Sequence, residues 1–488
     1  MTDELNKKKE KLMRIYHGGE QIVQDAYCSG DYESAIGMIS ALSDFLYNVN
    51  ITYCSEILED TLKKCSEHYI TYKGNKINLF DEKNILFFDE FGLEYRGIAV
   101  IYLKALVNLG YHVTYVTRYY RKGKISRIED IIKGHGVVEF LERGTYKEEV
   151  EKFIEILLQN NCSKMMLYTM PQGVVGPLAY YQVKKCGVTT YKINLTDHAY
   201  WIGTKAADYF IEFRDYGACI SNQYRKIDSH QLVKLLYYPE IMEKQNFEGY
   251  PFEVKGRKVL FSGGSLYKTF GDDDKYYCII SDILKDNKDC VFWYAGEGDT
   301  SKLDCLKKKY PEQIYYTSER KDLFQILKRS DLYIATYPIT GGLMGQYAAK
   351  AGVIPMQLLH DEEARLLLED VTEIQCETYD YNFFIKRVQY LLDNPKYRNS
   401  LGEQIKKKVM TETQFEKKLH SILCSAYDYK PSYNNTIDIE RYTSIFIQEY
   451  NMEKTLNILC TKRTLKLSFA IREMLQIEEG RIYDENTM

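Results

Sequence analysis

The chain has no run of about 18 uninterrupted apolar residues, so no membrane-spanning helix is expected. Its first eleven residues, Met1 to Lys11, are charged rather than apolar, and no signal peptide is expected either. A charge excess is also missing: 65 Lys and Arg against 69 Asp and Glu leave a formal −4, which argues against nucleic acid as a partner. The 12 cysteines never pair as CxxC, so they outline neither a disulfide framework nor a zinc ribbon. Reduced, mostly buried thiols follow, and with them a cytosolic setting, the inner face of a membrane included.

What is present is length and rhythm. At 488 residues the chain exceeds what one core supports and implies two large domains with appendages. Residues 1–78 read as helices: Ile22, Val23, Ala26 and Tyr27 lead to a Ser29-Gly30-Asp31 break, after which Ala35, Ile36, Ile39, Leu42 and Leu46 recur at helical spacing. One such hairpin cannot bury its own face and no second copy follows, so it is expected to cap the next domain.

Residues 82–238 alternate short apolar runs with amphipathic stretches, the mark of a doubly wound α/β domain. The expected strands are Ile85 to Phe88, His112 to Val116, Val137 to Leu141, Met165 to Tyr168, Thr190 to Ile193 and Tyr209 to Arg214. Between Pro239 and Gly256 periodicity is lost, which places a linker there. A second domain of the same class covers residues 257–430, with strands at Val259 to Phe261, Val291 to Tyr294, Ile314 to Tyr316, Leu332 to Ala335, Val353 to Met356 and Ile374 to Cys376. Residues 431–488 form a helical tail. The expected fold class is therefore α/β: two doubly wound, Rossmann-like domains facing a cleft, with helical ends.

Chemistry concentrates at strand ends, where open α/β sheets bind ligands. The first strand of the second domain breaks into Ser262-Gly263-Gly264 and then Lys268, while a later one runs into Gly341-Gly342-Leu343-Met344-Gly345 at a helix start. Glycines there let backbone N–H groups approach a pyrophosphate, and a lysine adds a point charge. Between them lie Thr317, Ser318 and Arg320, placed for a base or ribose. In the first domain the loop from Asn194 to Gly203 holds Asp197 and His198, the candidate general base with Asp197 and Asp89 as runners-up. Glu94, Arg96 and Gly97 in the first strand-to-helix loop are further site candidates, or an ordinary surface turn. The basic and aromatic run Arg118 to Arg127 suits an anionic lipid-linked acceptor or a membrane surface, or is a solvated loop.

Leu266-Tyr267-Lys268, Val291-Phe292-Trp293-Tyr294, Arg320 ahead of Ser330-Asp331, and Gly341 to Gly345 with Ala351-Gly352-Val353-Ile354-Pro355 together resemble the nucleotide-sugar domain of GT-B glycosyltransferases. Their order is most similar to the O-GlcNAc transferase family, and Trp201-Ile202-Gly203-Thr204 followed by Asp208-Tyr209-Phe210-Ile211 resembles that family's WLG…DYI segment. The resemblance runs from Ile193 to Pro355. It implies that Lys268 and the helix start at Gly341 hold a UDP diphosphate, that Arg320 lies at the uridine, and that no metal is required. Two departures stand out: the family's His-Thr-Thr is Gly342-Leu343-Met344 here, and the usual ribose acid falls at Tyr347, next to Gln346. The implied activity is sugar transfer from a UDP-sugar to a glycan, lipid-linked glycan or protein, in bacterial surface glycan or glycoprotein assembly. The alternative is a non-catalytic subunit of the same shape that presents an acceptor or stabilises a partner transferase through its helical ends.

Overall fold

A computed structural model describes residues 3–71, 81–94, 98–241, 245–360, 365–424, 437 and 439–449. The chain divides into two compact units, one comprising residues 1–235, 416–433 and 440–488, the other residues 236–415 and 434–439.

The first unit opens with α1 (Asp3–Cys28), α2 (Tyr32–Val49) and α3 (Glu56–Tyr69). Gly30 at φ +80° ends the first helix, and the Asp31 side chain caps the second by accepting the Ser34 N–H at 3.2 Å. Then follow β1 (Asp81–Asp89), α4 (Ala99–Asn108), β2 (His112–Arg118), α5 (Ser126–Ile132), β3 (Gly136–Leu141), α6 (Tyr146–Gln159), β4 (Cys162–Tyr168), α7 (Val175–Val183), β5 (Thr189–Ile193), β6 (Tyr209–Glu212), α8 (Asp215–Gln223) and β7 (Leu232–Lys234). The strands form one sheet in the order β3-β2-β1-β4-β5-β6-β7, every pairing parallel. Ile85, Leu86, Phe87 and Phe88 of β1 are all fully buried, as a central parallel strand covered on both faces requires. The N-terminal helices share one core with this sheet: Ile36, Ile39, Leu42 and Leu46 join Leu86, Phe88, Phe153 and Leu178. Each such side chain contributes roughly 1.5–3 kcal/mol by leaving water. The Ser66 hydroxyl donates to Leu178 O at 2.7 Å and fastens α3 to α7. The hairpin is thus one layer of the first unit, completed by a third helix that the sequence pattern did not single out.

The second unit carries β8 (Lys258–Gly263), α9 (Lys275–Asp286), β9 (Cys290–Ala295), α10 (Ser301–Lys309), β10 (Ile314–Thr317), α11 (Leu323–Leu327), β11 (Leu332–Ile334), α12 (Gly342–Ala351), β12 (Pro355–Leu358), β13 (Glu377–Thr378), α13 (Tyr381–Asp393) and α14 (Pro395–Ile405). After it come α15 (Glu412–Leu423) and α16 (Ile439–Glu449). Its sheet is parallel in the order β10-β9-β8-β11-β12-β13. Both sheets have the doubly wound form expected from the sequence.

Some elements differ from expectation. The stretch Ile374 to Cys376 is no strand: residues Thr372–Ile374 form a 3-10 turn and Gln375 sits at φ +55°, so the last strand starts at Glu377. The strand β7 at Leu232–Lys234 was not expected, being only three residues long. The units part between Leu235 and Leu236 rather than after Pro239, because α12 holds the segment that follows: Gln346 Nε2 donates to Tyr237 O at 2.7 Å and the Tyr347 hydroxyl to Glu240 O at 2.7 Å. Among the described residues no helix is long and apolar enough to cross a membrane. Of the expected helical tail, α16 is described, and residues 431–436, 438 and 450–488 lie outside the described residues.

Candidate functional site

In the second unit the strand order reverses between β8 and β11, and a crevice outside such a reversal is where doubly wound sheets bind ligands. The turn after β8 carries Lys268 in a short 3-10 helix (Leu266–Thr269), and the turn after β11 leads to α12. The two are joined directly: the Ile339 N–H donates to Lys268 O at 3.2 Å. Thr336 shapes the second turn, its hydroxyl donating to Ile339 O at 2.7 Å and accepting the Gly341 N–H at 3.1 Å. The fully buried Tyr333 hydroxyl has no hydrogen-bond partner and lies 3.8 Å from where a Cβ on Gly341 would stand. With the Gly341 N–H on Thr336 and those of Met344 and Gly345 on Gly341 O, the start of α12 presents the Gly342 and Leu343 N–H groups beside the lysine turn and an unsatisfied hydroxyl.

The glycines divide by what surrounds them. Gly264, at φ +122°, has open space where a side chain would project, whereas a Cβ on Gly263 would stand 2.8 Å from Ala295 O. A Cβ on Gly342 would stand 2.4 Å from Leu367 Cδ1, and one on Gly345 2.8 Å from Leu366 Cδ2. Gly342 and Gly345 are therefore small because leucines pack on α12, the alternative to a phosphate role that such glycines carry. Gly341 and the half-buried Leu343 stand at the helix start, and Met344 joins the core.

Other expected donor-side residues are engaged within the fold. The Ser262 hydroxyl faces the core and accepts from the Tyr276 hydroxyl at 2.7 Å, which corrects its expected place among the ligand contacts. Thr317 accepts the Trp293 indole N–H at 3.2 Å, and Ser318 is exposed. Arg320 does not present an open fork to a base. Its Nε and Nη2 grip Asp322 at 2.8 and 2.7 Å, both terminal nitrogens reach Gly249 O at 3.2 Å, and its guanidinium lies 5.3 Å over the Trp293 ring. The same Asp322 accepts the Glu248 N–H at 2.8 Å, so the pair pins residues 248–249 to the sheet edge. Gln346 and Tyr347, where the family resemblance would put a ribose acid, hold the segment around Tyr237 to Glu240 as described above.

In the first unit, Asp197 and His198 lie in the loop after β5. Asp197 is fully buried and takes Arg214 on both oxygens, Nε to Oδ2 at 2.5 Å and Nη2 to Oδ1 at 3.0 Å, while His198 Nδ1 stands 3.4 Å from Oδ1. Burial opposes its charge, but the Arg214 guanidinium and the His198 contact outweigh burial and hold this carboxyl well below the usual range. Behind it lies Arg225, 1% exposed, whose Nη2 donates to Asp197 O at 2.8 Å and Ala199 O at 2.7 Å. Glu212, also fully buried, accepts from Asn194 and Ser221; burial raises its pKa, with Arg225, Ser221 and Asn194 offsetting part of that rise. The loop is held from the N-terminal helices too, since Asn50 bonds His198 O and Tyr200 N–H, and Glu59 Oε1 accepts the Gly203 and Thr204 N–H groups at 2.7 and 2.8 Å. The Phe446 ring of α16 stacks on the His198 imidazole at 6.2 Å between centroids.

Asp89 ends β1 at the first sheet's own reversal, between β1 and β4. It is fully buried, accepts Phe91 and Gly92 N–H groups at 2.8 and 2.9 Å and the Tyr115 hydroxyl at 2.8 Å, and burial pushes it up to about 6 against those bonds. Both oxygens of Asp89 are thus engaged within the fold. Glu94 accepts the Arg127 N–H at 2.6 Å, tying its loop to the start of α5, 33 residues on; Arg96 and Gly97 lie outside the described residues. In the basic run, Arg118 is spent on Glu90 and Glu149 at 2.7 and 2.6 Å and Arg121 is half-buried, so the exposed part is Tyr119, Tyr120, Lys122, Gly123, Lys124 and Ser126.

Asn50, Arg214, Arg225 and Glu59 were not among the residues singled out from the sequence. Only Arg214 gave a local signal, a cation at the end of an apolar strand two residues past Glu212.

No family model matches the chain, and no curated protein matches it. Solved structures do. A mutant O-GlcNAc transferase from Thermobaculum terrenum is similar at 12% identity over 89% of this chain and 83% of its own, with a TM-score of 0.53. A glycosyltransferase from Rickettsia africae is similar at 11% identity over 71% of this chain and 99% of its own, TM-score 0.52. Anabaena HepE in complex with UDP is similar at 12% identity over 70% and 100%, TM-score 0.51. At such identity the likeness speaks for the fold: this chain has the GT-B architecture that its donor-domain motifs implied.

Proposed function

We propose that the chain is a glycosyltransferase that takes a sugar from a UDP-sugar, its second unit holding the donor. The observation that carries this reading is the Ile339 N–H to Lys268 O bond at 3.2 Å, which sets the lysine turn beside the start of α12 at the sheet's reversal. A cation and unpaired helix N–H groups there suit a diphosphate, whose charge grows as the anomeric C–O bond breaks. In the first unit His198 is the base: its Nδ1 stands 3.4 Å from Asp197 Oδ1, which orients the imidazole that takes the acceptor's proton as the acceptor oxygen bonds the anomeric carbon. A HepE structure holding UDP and two relatives in fold described as transferases support the nucleotide and the chemistry. The acceptor class, a glycan, lipid-linked glycan or protein, follows from the same reading.

One observation favours a second reading, a non-catalytic subunit of this architecture. Arg320, Gln346 and Tyr347, which stand at the nucleoside end by resemblance, are committed to Asp322, Gly249, Tyr237 and Glu240. The deciding experiment measures UDP binding by calorimetry and UDP release from a panel of UDP-sugars, with and without acceptor fractions. Lys268→Ala is expected to weaken UDP by about 10- to 150-fold, since a hydrogen bond to a charged group contributes about 1.5–3 kcal/mol. UDP binding with no turnover on any sugar would favour the second reading, and equal UDP affinity in parent and variant would remove Lys268 from the site.

A further inference from the structure

Four consecutive backbone groups around His198 are fixed by just two side chains. Arg225 takes Asp197 O and Ala199 O at 2.8 and 2.7 Å; Asn50 takes His198 O and Tyr200 N–H at 2.9 and 3.1 Å. Arg225 comes from the end of the neighbouring α8, but Asn50 comes from the N-terminal hairpin, 148 residues before the group it holds. It is fully buried, and its amide has its outlets filled: Nδ2 donates to His198 O and to the Tyr53 hydroxyl at 3.3 Å, while Oδ1 accepts Tyr200 N–H. Its backbone is also specialised. Asn50 caps α2 in the left-handed region at φ 46°, ψ 43°, donating its N–H to Leu46 O at 2.7 Å, and its carbonyl accepts the Thr443 hydroxyl of α16 at 3.1 Å. Asparagine is one of the few residues other than glycine that enters this region readily, and its amide is the group that can both donate and accept across one loop turn.

We infer that Asn50 is a positioning residue for His198, so that the N-terminal helices are a working part of the acceptor-side machinery. This rests on the reading of His198 as the base. The amide sets the peptide planes on both sides of residue 199, and with them the direction in which the imidazole leaves the backbone. A base must stand within about 3 Å of the proton it takes, so a small rotation of this loop suffices to idle it.

Asn50→Gly keeps the left-handed backbone and removes only the amide; Asn50→Asp keeps the shape and the acceptor for Tyr200 N–H but turns an oxygen against His198 O. Both are compared with Ile36→Val, a core change in α2 that lowers stability without touching the loop. Three readouts are taken: UDP affinity by calorimetry, kcat and donor KM on the UDP-sugar the parent uses, and the imidazole NMR signals, with His198 assigned by their loss in His198→Gln. The expected result for Asn50→Gly is UDP affinity within twofold of the parent, kcat down tenfold or more with donor KM unchanged, and His198 signals displaced while those of His112 and His420 stay. Asn50→Asp should give the same pattern, and it serves should the glycine variant fail to fold. Unmoved His198 signals, or a kcat loss no larger than that of Ile36→Val, would overturn the inference. If the parent turns over no sugar nucleotide at all, glycosyl transfer is what fails, and displaced His198 signals in Asn50→Gly still establish that Asn50 sets this loop.

Discussion

Gly342 offers a quantitative test of why a glycine opens α12. By its sequence context it is there for a phosphate; by its surroundings it is there for Leu367. A Cβ at this position would stand 2.4 Å from Leu367 Cδ1 and 2.8 Å from its Cγ, against about 3.5–4.0 Å for unstrained carbon contacts. Leu367 is 5% exposed and has little room to retreat. Overpacking of this kind costs about 1–3 kcal/mol, and alanine's better helix propensity returns less than about 1 kcal/mol, so Gly342→Ala is expected to destabilise the second unit by about 1–2 kcal/mol. With a urea m-value of about 1–3 kcal/mol/M, that lowers the midpoint by about 0.3–2 M. The chain has two tryptophans, and Trp293 lies in the second unit, so its fluorescence in a Trp201→Phe background isolates the relevant transition. The decisive step is a cycle with Leu367→Ala. Once the leucine is shortened the new methyl has somewhere to go, and Gly342→Ala should become neutral or stabilising, a coupling of about 1–3 kcal/mol. Equal costs in both backgrounds would refute the packing account. So would unchanged stability accompanied by lost UDP binding, which would return Gly342 to the phosphate.

Two further outcomes are expected. His198→Ala should leave UDP affinity intact and lower turnover by about 100- to 10,000-fold, the usual worth of a positioned base, in steady-state kinetics of UDP release; normal turnover would return His198 to a loop-packing role. Asp89 titrates near 6 in the folded chain because burial outweighs its hydrogen bonds, so its stabilising contribution is complete below the unfolded value near 4 and is lost as pH rises through about 6. Asp89→Asn should therefore flatten the fall in first-unit stability between about pH 4 and 6, a difference of about 3 kcal/mol, read by Trp201 fluorescence in a Trp293→Phe background.

The parts of the fold that were legible in the sequence share a physical property: their signal is local. Ile85 to Phe88 and Val291 to Tyr294 are buried on both faces, so their strands appear as unbroken apolar runs. The Gly30 break and the Asp31 cap of α2 read correctly because turn and cap chemistry is settled within four residues. Ile374 to Cys376 failed because its apolar ends suggest a strand while Gln375 takes a left-handed turn that no pattern of hydrophobicity encodes. The site divides the same way. Lys268 and the glycine turns announce themselves through residue type, but the bond from Arg320 to Gly249 O could not be read, because that partner lies 71 residues away. Asn50 was invisible for the same reason.

The buried polar cluster around the His198 loop argues for what that loop needs. Arg214 and Arg225 face Asp197 and Glu212, two cations against two carboxylates, all removed from most or all of the solvent. Ion pairs in such surroundings cost about as much in lost hydration as they return, and well-packed apolar residues often serve stability equally well. A leucine at 225, however, could not hold Asp197 O and Ala199 O, and an apolar residue at 50 could not hold His198 O and Tyr200 N–H. These groups secure a particular path for the backbone through residues 197–200, and stability alone does not require them. A loop whose only task was to connect β5 to β6 would not need its carbonyls aimed one by one. One that must present an imidazole at a set angle does, and that is the physical argument behind the role proposed for His198.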